Sequence, residues 1–301
     1  MRSPLGPLVV GLALVPAACS AAGPAPSPAP PSPLTATAAL GDFTTLDYCS
    51  LLDVSRLRGA TADDPDSSFT DCRADYLRSG RSHTVTVGPL AADADPNVKP
   101  YRYAGPVPDG VSVQQAGFTP DRSCTRTVTF ADGVRLAVVV ADDEGATGGN
   151  ERCTDADATV GGVLAAVSDG KVGHHRFLDR SWGRVDPCAL LDVHELDAIS
   201  GPDTQPAAAL SGHSCIRGTV SVEFAVQKRA PTGATETLGG RTAHEAADGA
   251  FCRITTTQPS PSTPGRGEQA VVSVVDTTGS DGALACPAAR QVANLVFAKI
   301  P

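Results

Sequence analysis

The sequence predicts an α+β fold of two tandem disulfide-stapled modules, each an antiparallel sheet with an N-terminal and a C-terminal helix. One octet occurs twice, as Asp-Tyr-Cys-Ser-Leu-Leu-Asp-Val at 47–54 and as Asp-Pro-Cys-Ala-Leu-Leu-Asp-Val at 186–193. Three further cysteines follow each octet, so eight of the nine cysteines divide into two sets of four. Such a recurrence is typical of an internal duplication.

Strands are predicted where apolar and polar residues alternate. The clearest case is Val220 to Gln227, where every second residue is apolar as in a half-buried strand. His83 to Val87 is its counterpart in the first module, and the third cysteine of each set, Cys124 and Cys252, lies in a further strand. Asp132-Gly133 predicts a tight hairpin turn.

Helices are predicted at both ends of each module. The Leu-Leu-Asp-Val segments open the modules with a short helix, which in the second copy has Asp192 and Glu195 spaced as a capping box. The last cysteines, Cys153 and Cys286, precede apolar residues at helical spacing and therefore begin the closing helices. Trp182, the only tryptophan, lies between the modules and is expected to pack at their junction.

The first residues predict export. Arg2 precedes an apolar run that ends in Ala17-Ala18-Cys19, which is the layout of a secretory signal and is too short for a membrane span. Cys19 after two small residues fits lipid attachment at a new N-terminus, although Pro16 departs from the usual pattern. Ordinary cleavage after Ala18, with a free Cys19 thiol, is the alternative. The predicted domains are a signal peptide at 1–18, a lipidated cysteine and Pro/Ala-rich tether at 19–41, module 1 at 42–172, a linker at 173–185 and module 2 at 186–301.

Net charge restricts the partners. The chain carries a formal charge of −9, which the loss of Arg2 makes one unit more negative, and it has no basic cluster. Such a chain is not expected to bind nucleic acid or anionic lipid headgroups. The expected membrane contact is therefore the N-terminal lipid alone.

The eight module cysteines are expected to form disulfides. None of them forms a Cys-x-x-Cys pair, which zinc and redox sites favour, and an exported chain with even sets of cysteines favours bridges. Closure within each module leaves three patterns, of which first-to-second and third-to-fourth is preferred because it staples each helix to the sheet. The preferred pairs are Cys49–Cys72, Cys124–Cys153, Cys188–Cys215 and Cys252–Cys286.

The lipoprotein-like start, the Pro/Ala tether and the Pro-Cys-x-Leu-Leu header resemble actinobacterial envelope lipoproteins that carry a domain of unknown function. Residues 186–193 match the family opening, and residues 47–54 depart from it at Tyr48. The resemblance implies an extracytoplasmic, membrane-anchored protein with a disulfide-stapled α+β domain. It implies no catalytic residues.

Four short motifs suggest chemistry only weakly. Ser168-Asp-Gly-Lys171 fits Ser-x-x-Lys without the companion elements of penicillin-binding enzymes. Asp93 to Asn97 begins like a calcium loop but lacks the later Gly and Glu. Adjacent His174 and His175 chelate poorly alone, and Gly239 to Thr242 reads as a turn.

These patterns favour a non-enzymatic binding or interaction protein of the bacterial cell envelope, monomeric and without a cofactor or metal. Its partner would be an envelope protein, a cell-wall fragment or a lipid. The alternatives are a regulatory lipoprotein that restrains an envelope-stress sensor, an envelope hydrolase with a site assembled from distant residues, and a passive structural spacer. A tandem of like modules is expected to form a cleft or a joint surface at their interface.

Overall fold

A computed structural model describes residues 32–92, 97–116, 122–142, 149–191, 194–201, 204–228, 230–277 and 282–301. Its α-helices are α1 (Ala36–Leu40), α2 (Gly149–Ser168), α3 (Pro187–Leu191), α4 (Asp197–Ser200) and α5 (Cys286–Phe297). Its first ten strands are β1 (Leu46–Asp47), β2 (Thr61–Ala62), β3 (Asp66–Ser67), β4 (Cys72–Arg78), β5 (Arg81–Ala91), β6 (Val98–Pro100), β7 (Ser112–Ala116), β8 (Ser123–Thr129), β9 (Arg135–Asp142) and β10 (Gly173–His174). The others are β11 (Ala207–Ala208), β12 (Ser214–Arg217), β13 (Val220–Gln227), β14 (Ala234–Leu238), β15 (Arg241–Asp248), β16 (Phe251–Pro259) and β17 (Gly267–Val275).

Two antiparallel sheets have the same strand order. The first sheet runs β2-β4-β5-β9-β8-β7-β6, and the second sheet runs β11-β12-β13-β17-β16-β15-β14. Each therefore places its last strand between its third and its next-to-last strand in chain order. Strand β3 pairs with β4 beside this path, and β1 pairs with β10 separately. The α+β class and the antiparallel sheets are confirmed.

The hydrogen-bond register also coincides between the two sheets. In the first sheet Cys72 lies opposite Val87, which lies opposite Val138. In the second sheet Cys215 lies opposite Val222, which lies opposite Val272. A shift of one residue in either sheet would turn every side chain of the strand to the opposite face. Because the registers match, equivalent positions of the two sheets face their buried cores in the same way.

Four disulfides fasten helical segments to these sheets. Cys49–Cys72 and Cys188–Cys215 join the opening turns to β4 and β12, and Cys124–Cys153 and Cys252–Cys286 join β8 and β16 to α2 and α5. The preferred pairing is thus the one that forms. Each sheet has its own buried core, in which Val138 and Val272 are fully enclosed.

The opening segment of the first sheet is less helical than predicted. It consists of two single 3₁₀ turns, Tyr48–Leu51 and Val54–Arg56, whereas the second sheet has the short helix α3. Asp47 caps the first turn and Asp53 the second by accepting from nearby backbone N–H groups, so the segment is divided into pieces that suit 3₁₀ geometry. The predicted capping residue Asp192 lies outside the described residues. The Asp132-Gly133 turn is confirmed, with Gly133 at φ 83°.

The predicted tether extends too far toward the first module. Residues 36–40 form α1, whose Leu40 is fully buried in the core of the first sheet. The backbone of Leu34 exchanges hydrogen bonds with Asp109 and Ala131, and Thr35 caps the helix. Residues 34–40 therefore belong to the first folded half, because Ala36 and Leu40 are buried in its core.

The segment between the sheets is fastened to the second sheet by a buried carboxylate. Glu268 on β17 is fully buried and accepts hydrogen bonds from Ser181 Oγ (2.7 Å), Trp182 N (2.7 Å), Gln258 Nε2 (2.9 Å) and Ser260 Oγ (3.2 Å). These four donors offset the cost of burying the charge. Trp182 is itself fully buried in the second core, so the predicted linker is packed along this part.

Candidate functional site

A cleft of about 350 Å³ lies between the first and the second sheet. One wall comes from the segment around β3 and β4 of the first sheet, and the other from the second half of β13. The lining residues are Asp63, Asp64, Asp66, Ser68, Thr70, Asp71, Arg73, Asp75, Glu223, Ala225, Val226, Gln227 and Lys228. Because both sheets contribute, the cleft exists only in the assembled chain.

The walls are held by regular pairing and by one ion pair across the two halves. Strand β3 pairs with β4, which aligns Asp66 with Arg73. On the other wall β13 pairs along its whole length with β17. Arg266 from the loop before β17 forms an ion pair with Asp66, and both side chains are at least half removed from water. This pair ties the first wall to the second sheet.

Carboxylates dominate the lining. Six acidic residues face only two basic ones, Arg73 and Lys228. Asp66 is engaged by Arg266, and Arg73 lies 3.5 Å from Asp75 in an exposed pair of little energetic weight. The cleft consequently carries an excess of negative charge.

Two of these carboxyl groups are costly to ionise. Burial raises the pKa of Asp71 above its usual range, and the nearby Arg73 only partly offsets this effect. The pKa of Glu223 is also raised, first by desolvation and then by the charge of Asp71, with Arg253 opposing; because this side chain remains exposed, solvent screens part of the effect. A positively charged group placed between them would relieve both costs.

A second cluster lies on the other side of the same chain segment. Ser67 and Phe69 point away from the cleft, toward His175, Phe177 and His213. We call these five residues the joint, because they connect the first sheet with the linker and the second sheet. Phe69 comes from the first half of the chain but is buried in the core of the second sheet.

The joint contains serine and histidine, and Asp47 lies beside it, but the three residue types do not have the geometry of a catalytic triad. Ser67 Oγ lies 3.3 Å from Nε2 of His175, and Asp47 Oδ1 lies 3.7 Å from the same nitrogen. A triad requires the carboxylate and the hydroxyl on opposite ring nitrogens, so that the ring can accept a proton from one while held by the other. Turning the ring over would put the carbon Cε1 where Nε2 lies, so it would not place the two partners on opposite ring nitrogens. This arrangement does not support nucleophilic catalysis.

The other motifs found in the sequence have structural surroundings. Ser168 is the last residue of α2, and Gly239 and Gly240 form the turn between β14 and β15. His174 pairs through Nδ1 with Thr45 Oγ1 at 3.0 Å, separately from His175. Asp93 lies outside the described residues, as does Cys19. In the described part of the chain, Ser168, His174 and Gly239 thus lie in different elements.

One group in the described chain has the spacing of metal ligands, namely Glu245, Cys252 and Cys286. Both of its sulfur atoms belong to the same disulfide and therefore carry no thiolate charge for a metal. The described residues also contain no helix of the length and apolar character that a membrane crossing requires.

The sequence predicts a cleft at the interface between the two halves, but it does not identify the residues that line it. The only signal in the sequence is the acidic run of Asp63, Asp64 and Asp66 ahead of the second cysteine. Glu223 stands at a solvent-facing position of its strand and looks like any exposed strand residue until the two halves are assembled.

Comparisons with protein-family models, with curated protein sequences and with solved structures returned no match.

Proposed function

We propose that this chain is a non-enzymatic, lipid-anchored, extracytoplasmic binding protein of the bacterial cell envelope, in which the cleft between the two sheets receives a positively charged ligand or partner segment. The cleft is the observation that carries the proposal, since it is built from both sheets and closed by the Asp66–Arg266 ion pair. Four disulfides suit an oxidising compartment outside the cytoplasm.

The proposed architecture is two copies of one module on a lipid tether, as in the lipoproteins that the Cys-x-Leu-Leu headers resemble. Three independent features support the duplication: the strand order, the register of the central strands and the placement of the disulfides all agree between the halves. Cys19 would carry the lipid. The module pair then presents its cleft at the membrane's outer face.

The charge of the cleft sets the class of ligand. Asp71 and Glu223 both have raised pKa values, which means that their ionised forms lack stabilising partners. An amine or guanidinium placed between them would supply the missing positive charge and would itself be bound. Basic peptide segments of envelope proteins and amine-bearing cell-wall fragments both carry such groups. An anionic lipid headgroup would meet repulsion.

Carbodiimide cross-linking in intact cells tests this function, because the reagent joins a carboxylate to a neighbouring amine. Mass spectrometry of the purified adducts should map the linked carboxylates to Asp71 and Glu223. The double variant Asp71→Asn/Glu223→Gln should lose the adduct, and the control Glu236→Gln, which alters a partly exposed carboxylate on β14 that pairs with Arg290, should keep it. Adducts confined to other faces, or unchanged in the double variant, would refute the cleft as the binding site.

Fractionation tests the anchor separately. The variant Cys19→Ala should move the protein from the membrane fraction to the medium, since a single lipid would supply the membrane affinity. Retention of an unlipidated Cys19→Ala protein at the membrane would contradict the lipoprotein assignment.

A further inference from the structure

We propose that the joint is a pH-sensitive switch: it is closed while His175 and His213 are neutral, and their protonation loosens it and alters the cleft. The regulatory consequence rests on the proposed binding function, but the loosening itself does not. The geometry that links the two is the segment from Asp66 to Asp71. Asp66, Ser68 and Thr70 line the cleft, whereas Ser67 and Phe69 contact the joint.

His213 has no place for a second proton. Its side chain is only 2% exposed, and Nε2 lies 2.8 Å from the carbonyl oxygen of Thr44. Since a carbonyl can only accept, Nε2 donates and Nδ1 is the unprotonated nitrogen of the neutral ring. Within the described residues Nδ1 is buried without a hydrogen-bond partner. A proton there would create a buried, unsatisfied N–H on a charged ring.

Aromatic rings pack against the ring of His213. The ring of His213 lies 5.0 Å from Phe69 and 5.5 Å from Phe177, and Phe69 and Phe177 meet edge to face at 5.2 Å. His175 stacks on the other side of Phe177 at 5.7 Å. The two imidazoles thus share one aromatic cluster that joins the first sheet, the linker and the second sheet. Charging both would place two like charges in it.

The neighbouring charges do not offset the cost of protonating the two buried histidines. Burial lowers the pKa of His213, and His175 lowers it further, against Asp42 and the Thr44 carbonyl, which raise it. Burial likewise lowers the pKa of His175, with Asp47 opposing and His174 adding to the decrease. For both rings burial is the largest influence, so the closed joint prefers them neutral.

The direction of the pH dependence follows from these shifts. A histidine whose pKa is lowered in the closed joint binds its proton more readily when the joint is open. The joint is therefore fully stable above about pH 6.5, the ordinary histidine pKa, and it weakens as the pH falls below that value. Protonation of Asp71 and Glu223 would also weaken cation binding in acid, so the test must separate the two effects.

Hydrogen exchange on the full chain without ligand makes this separation. Between pH 7.5 and pH 5.5, after correction for intrinsic rates, amides of the segments around Phe69 and His213 should exchange about tenfold faster, while those of β8 and β9 should not change. The variant His213→Gln, which keeps a donor for Thr44 but does not titrate, should lose most of the response. His175→Gln should lose part of it.

If His213→Gln folds poorly, the unmodified protein can be used instead, by following the NMR signals of the histidine rings as the pH is changed. The signal of His213 should move over the same pH range in which the amides lose protection. Equal protection at both pH values, or loss of protection without titration of either joint histidine, would overturn the switch.

Binding of tri-lysine at the two pH values then connects the switch to the cleft. We expect weaker binding at pH 5.5 and a smaller decrease in His213→Gln, whose remaining decrease comes from the cleft carboxylates. If the joint loosens in acid but tri-lysine fails to bind at either pH, the proposed function is refuted and the pH-sensitive joint remains. If binding falls equally in both proteins, the regulatory link is refuted.

Discussion

The buried carboxylate of Glu268 gives the sharpest test of how the chain between the sheets is held. Glu268→Gln keeps the shape, and its amide can donate to the two serine hydroxyls while its oxygen still accepts from Trp182 N and Gln258. Hydrogen bonds to a charged group contribute about 1.5–3 kcal/mol each, and neutral ones about 0.5–1.5 kcal/mol. The variant also no longer has to bury a charge, which offsets part of the weaker hydrogen bonding. We therefore expect the free energy of unfolding to fall by about 2 kcal/mol.

Glu268→Leu should be more damaging, because it leaves the Trp182 backbone N–H without its acceptor and leaves Gln258 Nε2 with the Arg180 carbonyl alone. A loss of about 4 kcal/mol is expected, in the range for breaking a buried polar network. Guanidinium titration at pH 7 measures both variants, with fluorescence of Trp182, the only tryptophan, as the probe. Glu236→Gln, a partly exposed carboxylate, should change stability by less than about 1 kcal/mol. If both Glu268 variants fall within that limit, or if leucine is tolerated better than glutamine, the carboxylate does not anchor the segment.

Three further outcomes are expected. Replacing Cys252 and Cys286 together by alanine should cost about 3–4 kcal/mol in a denaturation experiment, the chain-entropy value for a bridge across 34 residues. Asp71→Asn should raise the melting temperature at pH 7 and not at pH 3, because a raised pKa means that the ionised carboxyl destabilises the fold only above its unfolded pKa; an equal effect at both pH values would contradict this. Arg126→Ala should cost about 3 kcal/mol by removing the cation beside Asp157, which keeps only the hydrogen bond from the Tyr101 hydroxyl, and Arg126→Leu combined with Asp157→Ala should recover most of the loss, as calorimetry would show.

The fold was largely readable from the sequence because its strongest signals are local. Alternation over Val220 to Gln227 predicts β13 correctly, since a half-buried strand needs one apolar face whatever lies beyond it. The disulfide pairs were also predicted, because closure within each half leaves three patterns and the stapling of each helix to the sheet favours one of them. The prediction from local composition was wrong at α1, which was assigned to the tether. Its Ala36 and Leu40 are buried in the core of the first sheet.

The cleft and the joint were not readable from the sequence, for a physical reason. They arise where residues far apart in the chain meet: Thr44 with His213, Asp66 with Arg266, and Ser67 with His175. Alternation and spacing carry no information on such pairs. Phe69 illustrates the limit, because a lone aromatic residue between two short strands gives no sign that it enters the core of the other half.

The two halves also differ in how charge holds the closing helices, within one backbone frame. Asp157 on α2 pairs with Arg126 on β8 at 2.7 Å, whereas Arg290 on α5 pairs with Glu245 on β15, the strand next to the edge strand β14, at 2.7 Å. Asp157 and Arg290 each lie four positions after the disulfide cysteine of their helix. The equivalent helix position is therefore acidic in the first half and basic in the second. In the proposed duplication, the frame is what has been kept and the side chains on it have been free to change.

Function should therefore be sought where the frame itself differs. Besides β1 and β10, which pair with each other, β3 is the described strand that lies outside the common order, and it alone adds to one of the two sheets without a counterpart among the described strands of the other. The segment that contains β3 supplies one wall of the cleft, the ion pair to Arg266 and two residues of the joint. A symmetric pair of modules would have neither cleft nor joint at this place. The departure from symmetry thus coincides with the features that a binding function and its control would need.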